Sequence, residues 1–116
     1  MDEQKIKTII DRLIELSKKG ELNWKTTGDT DTYLLGLKDS SISISRLFSA
    51  DLGNAFELQF RNEKGEIAEK ALISGNNSYA EKAALLFELA RSKALNANGL
   101  IDRILEQLSS PDSVTA

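Results

Sequence analysis

The chain has 116 residues, no cysteine, no histidine and a formal net charge of −3. Without those two residue types there are no disulfides, no thiolate metal sites and no Ser-His-Asp or Cys-His constellation, and the commonest general base at neutral pH is missing. The acidic balance argues against general affinity for nucleic acid, which needs clustered Lys and Arg, while the length suits one domain that folds without staples.

The first residues, Met1 to Lys5, are polar and lead into an amphipathic segment. They read as neither a signal peptide nor a membrane span, and no apolar run approaches the roughly 20 residues a span requires. A cytoplasmic address is the resulting expectation, with no membrane association.

Lys5 to Lys19 is a predicted helix. Ile6, Ile9, Ile10, Leu13 and Leu16 recur every three or four residues, opposite a charged face. Lys18 and Lys19 suit the negative end of the helix dipole, and Gly20 supplies a left-handed cap. Leu22 to Thr27 is a short strand candidate carrying the only tryptophan, Trp24. Gly28 to Thr32 is turn chemistry. Tyr33 to Leu37 is a second strand in which Gly36 marks a possible bulge. Ser41 to Ser45 alternates cleanly, with Ile42 and Ile44 inward and the serines outward.

Phe56 to Ile73 reads as a β-hairpin. Phe56, Leu58 and Phe60 share one face, and a four-residue loop from Asn62 to Gly65 would set Arg61 opposite Glu66 and Glu57 opposite Lys70. Past Ile67 the alternation slips, which predicts a bulge near Ala68 and Glu69, or an edge position there. Ser78 and Glu81 have the spacing of a capping box, opening a helix from Tyr79 to about Leu95. That helix is apolar around most of its circumference, so it needs the sheet on one side and, on another, a neighbouring helix, expected to be the one that follows it. The segment that follows carries Ala97, Leu100, Ile101, Ile104, Leu105 and Leu108 as one stripe. Asn96 is its expected N-cap, although Asn98-Gly99 is an alternative end for the helix before it.

The order implies one α+β domain over residues 1–108: an N-terminal helix, an antiparallel meander of four to five strands, and two C-terminal helices, with the helices mainly on one face. Residues 109–116, with the only proline, Pro111, read as a disordered tail. From Leu22-Asn23-Trp24 through the hairpin to Leu86-Phe87-Glu88-Leu89-Ala90 and Ala94-Leu95-Asn96, the chain resembles small uncharacterised α+β domains of bacterial and phage type. That resemblance implies no activity and no site residues.

The features able to carry chemistry are few. Asp29 and Asp31 share a loop, but without the further oxygen ligands of a calcium loop, so turn chemistry is the better reading. Gly75 to Ser78 precedes a helix, yet lacks the ending of a phosphate-binding loop. Neither a cofactor nor a metal is expected.

Trp24 and Tyr33 are either interface anchors or core. Ser41, Ser43 and Ser45 form an uncharged strand face, suited either to cover by a partner or to quiet exposure. The last helix either packs on its own domain or leaves part of the Leu100, Ile104 and Leu108 stripe for a second copy. These features favour a noncatalytic interaction or regulatory domain with a protein partner, of an accessory, inhibitor or immunity type. The alternative is a small-ligand binder or an enzyme without His and Cys, for which a deep pocket lined by Tyr33, Arg46 or Glu69 would be the sign.

Overall fold

A computed structural model describes residues 3–51 and 53–109. Its elements are α1 (Glu3–Lys18), β1 (Lys25–Thr26), β2 (Thr32–Gly36), β3 (Ser41–Ser49), β4 (Gly53–Arg61), β5 (Ile67–Ser74), α2 (Ala80–Ala94) and α3 (Ala97–Leu108). The strands form one antiparallel sheet in sequence order, so the fold is the α+β meander that the alternation predicts. Of the expected tail only Ser109 is described; its amide donates to the Leu105 carbonyl, 3.1 Å away. The rest of that tail lies outside the described residues.

The period-2 pattern sends Tyr33, Leu35, Ile42, Ile44, Phe56, Leu58 and Ile73 to one face of the sheet. That face is covered by Ile6, Ile10, Leu13 and Ile14 of α1 and by Ala83, Leu86, Phe87 and Ala90 of α2. The second cover that α2 requires is α1, not the helix that follows it. Asp11 of α1 accepts hydrogen bonds from Lys82 Nζ and from the Tyr79 hydroxyl, both at 2.8 Å.

The Lys82 hydrogen bond, then the Tyr79 one, hold the Asp11 carboxyl below the ordinary carboxylate range, and Asp11 in turn raises Lys82. A depressed carboxylate contributes stability above its unfolded pKa and loses it as pH falls through the folded one. Asp11→Asn should therefore unfold at lower denaturant than the parent near neutral pH, with the difference closing in acid. Urea titrations across pH 2 to 7, beside an NMR titration of the Asp11 carboxyl, check this; a constant difference down to the lowest pH would refute it.

Helix α1 ends as expected. Gly20 is left-handed at φ +72°, its amide meets the Ser17 carbonyl at 3.0 Å and that of Glu21 meets Leu16 at 3.1 Å, which together make a Schellman closure. The strand expected over Leu22 to Thr27 shrinks to Lys25–Thr26. Its first half is diverted because Trp24 turns into the core and its indole donates to Ser17 Oγ at 3.0 Å. Gly36 is no bulge; it pairs with Ser41 in an unbroken register. Strand β3 runs past Ser45 to Ser49, since β4 continues to pair with it down to Gly53.

The expected bulge is present, in the interval where Phe60 faces Glu69 and Arg61 faces Ile67 with Ala68 extra. The expected charge pairs are not, because Glu57 stands opposite Leu72 and Arg61 opposite Ile67. Asn62 is the reason. Its backbone pairs with Glu66 and its side-chain oxygen accepts from the amides of Lys64 and Glu66. Gly65, at φ +83°, then closes a loop of three residues rather than four.

The capping box is also absent. Asn77 Oδ1 accepts the Tyr79 amide at 2.8 Å, so an Asx turn one residue earlier opens α2. At the other end Asn96 occupies the N-cap position of α3, left-handed at φ 51° and without a side-chain cap bond. The chain thus changes direction between α2 and α3, and α3 meets the remainder of the domain chiefly at α2. The radius of gyration, 16.7 Å, exceeds the roughly 13 Å of a compact chain this long.

Candidate functional site

The meander leaves the second face of the sheet without a helix among the described residues. Three rows cross it: Thr32, Ser45, Glu57 and Leu72; Leu34, Ser43, Gln59 and Lys70; Gly36, Ser41 and Arg61. Ser41, Ser43 and Ser45 are therefore on a face and not an edge, along the middle strand of five.

Their side chains are small because longer ones from β4 lie across them. Arg61 donates to Ser43 Oγ at 3.1 Å and to Gln59 Oε1 at 2.6 Å, and Gln59 donates to Glu57 Oε1 at 2.7 Å. The Thr32 and Ser45 hydroxyls meet at 2.8 Å. Ser43 is only 2% exposed in consequence. A trough of about 680 Å³ follows these rows between the Thr27–Asp29 loop and the turn at Gly65. This arrangement is a polar surface whose side chains satisfy one another, with the Ser43 hydroxyl buried beneath the Arg61 guanidinium. The Arg61, Gln59 and Glu57 chain is visible in the sequence as an outward i, i+2 series. It escapes notice when those charges are assigned partners across the hairpin.

The two aromatic candidates lie elsewhere. Trp24 and Tyr33 are 2% and 3% exposed and belong to the core. The Tyr33 hydroxyl donates to the Thr30 carbonyl at 3.2 Å, and its ring is 5.5 Å from that of Phe87. Beside it a hollow of about 390 Å³ is lined by Tyr33, Arg46, Arg91 and the Thr26–Asp31 segment. Arg46 there is bonded to Asp31 at 3.0 Å and lies 4.9 Å from the Phe87 ring centroid. Asp29 accepts the Asp31 amide at 2.9 Å, so both loop carboxylates have structural partners.

The surface that departs most from an ordinary domain is α3. Leu100, Ile101, Ile104, Leu105 and Leu108 fall on one stripe and are between 43% and 64% exposed. Asp102, Arg103 and Glu106 occupy the opposite side of the same helix. A helix of 12 residues is marginal in water by itself and owes its stability to whatever covers its apolar face. Helix α2, which supplies the contact at the joint, leaves that stripe open. No described helix is long and apolar enough to cross a membrane. The chain matches no protein-family model, no curated protein and no solved structure.

Proposed function

We propose that the chain is a noncatalytic protein-interaction domain that binds its partner through α3. One observation carries this reading: five large apolar side chains, each 43% to 64% exposed, are aligned on a helix that the domain does not cover. Contiguous apolar surface of this kind marks interaction sites in soluble proteins, and helices docked by an apolar stripe are a recurring recognition mode. The polar trough over Ser41, Ser43 and Ser45 offers a second, wetter contact on the same molecule. An accessory or regulatory protein is the class that fits.

The test is recovery of the tagged full chain from its native cells after cross-linking, with and without nuclease. A single protein at near-equal stoichiometry is expected, a further copy of the chain counting as one. It should be lost from the Ile101→Glu/Leu105→Glu variant. Equal recovery by both chains would overturn the reading.

The hollow beside Tyr33 favours a second reading, a small polar ligand met by groups of both charges, since Asp29 and Asp31 line it together with Arg46 and Arg91. Retention of a small molecule in place of any protein, and its loss on Arg91→Ala, would establish that reading instead.

A further inference from the structure

We propose that the hollow between α1 and the β2–β3 turn binds a small apolar acid, with an aliphatic or aromatic body of roughly ten heavy atoms and a carboxylate at one end. The site is separate from the α3 stripe, and neither α2 nor α3 contributes to its wall.

The hollow follows from how the helices are stacked. Helix α1 makes its closest backbone approach to α2 and stands off the strands, so side chains alone span the gap beneath its second half. The sheet supplies little to fill that gap at this end. Strand β2 stops at Gly36, and the turn into β3 is tight, with the Leu37 amide on the Ser40 carbonyl at 2.8 Å. A space of about 400 Å³ remains, walled by Ile9, Leu13 and Leu16 of α1 and by Leu37, Ile42 and Phe60. Leu37 is 46% exposed at its mouth.

The wall selects the class of occupant. Its surface is almost entirely carbon, whereas an ordered water needs roughly two to four polar partners. A cavity of this chemistry stays dry or takes an apolar molecule. Its volume lies in the range of small-ligand sites, about 300–1,000 Å³, and at about 30 Å³ per water-sized group it admits roughly a dozen heavy atoms.

The charge beside the mouth selects the polar end. Arg12 lends the wall its aliphatic stem while its side chain stays 64% exposed, which leaves the guanidinium in water. Its carboxylate partner, Glu15 at 3.1 Å, is shared with Lys19 at 3.5 Å, so the three groups together keep one positive charge. The second charged residue of the wall, Arg61, turns its guanidinium to the far face of the sheet, onto Ser43 and Gln59. No carboxylate lines the hollow. An acid seated with its apolar body inward therefore leaves its own carboxylate to Arg12.

Titration of the full chain with decanoate at pH 7, below the micellar concentration and followed by methyl NMR, should saturate with a Kd on the order of 0.1 mM, ordinary for a ligand of this size. The shifts should gather on Ile9, Leu13, Leu37 and Ile42. Arg12→Gln should weaken decanoate about threefold to fivefold, the scale of an exposed charge pair, and leave decanol unchanged. Leu37→Trp fills the mouth and should abolish binding of both. Ile9→Phe narrows the hollow from the helix side and should also weaken both, so loss of fold in one variant, read from its thermal melt, leaves the other. Ile101→Glu/Leu105→Glu should bind decanoate as the parent does, which separates this site from α3.

Shifts that gather on Leu100, Ile104 and Leu105, binding that does not saturate, or undiminished binding by the filled variants would each overturn the proposal. Tighter binding of decyltrimethylammonium than of decanoate would overturn the charge assigned to the ligand.

Discussion

Replacing Phe87 by alanine should destabilise the domain by about 3–5 kcal/mol, the usual cost of emptying a buried aromatic site. The side chain is 1% exposed and stands where α2 crosses the sheet. Its ring is 5.5 Å from Tyr33 and 5.6 Å from Phe56, with the Arg46 guanidinium above it. Truncation removes three contacts at once, and the surrounding strands cannot collapse into the void because their register is fixed by pairing on both sides. Against a total stability of about 5–15 kcal/mol that loss is a large share. Thermal unfolding should fall by roughly 12–20 °C, taking about 4 °C per kcal/mol. A drop of only two or three degrees would mean that Phe87 is less well packed than described.

The second large effect belongs to Trp24. Trp24→Ala should cost about 3–5 kcal/mol, and Trp24→Phe should separate its two roles. The phenyl ring keeps most of the apolar contact but has no N–H for Ser17 Oγ. A hydrogen bond of this kind, here part-buried, contributes about 0.5–1.5 kcal/mol net, so the Phe variant should lose far less than the Ala variant. Ser17→Ala should cost a similar amount, and the double variant should add little beyond Trp24→Phe, since both remove one bond. Denaturant melts of the four proteins decide it. Full additivity would show that the 3.0 Å bond between indole and hydroxyl is not the source of the effect.

Most of the architecture is legible in the sequence because burial on a pleated surface leaves a period of two and burial on a helix a period near four. Ile42 and Ile44 go inward as their alternation requires, and the slip after Ile67 appears as the extra residue at Ala68. The errors are local competitions. Asn62 reaches its own loop amides and shortens the turn, so the charge pairs expected across the hairpin never face one another. Asn77 captures the amide of Tyr79 ahead of Ser78. Such side-chain to backbone bonds are short-range choices between near-equal alternatives, which periodicity does not register.

The candidate surfaces are only half legible in the sequence. Ser41, Ser43 and Ser45 read correctly as an outward row, but the Arg61 and Gln59 side chains lying over them follow from strand order. Trp24 and Tyr33 admit two readings, since a large aromatic looks the same in sequence whether it anchors a partner or fills a core. For α3 the stripe is plain, yet whether its own domain covers it depends on the turn at Asn96, whose left-handed backbone is settled by the joint as a whole.

The strictly sequential order of the strands has a consequence for how the chain reaches this fold. Each strand pairs with the one just before it, so every hairpin closes across a short loop and the sheet can grow by addition of neighbours. Sheets made this way avoid the large loop-closure entropy that slows folds with distant strand pairing. The distant step is the meeting of α1 with α2, sealed by contacts between residues 71 apart such as Asp11 and Lys82. The rate-limiting event of folding is then expected at the helical layer, with the sheet serving as the template on which the two ends of the chain are brought together.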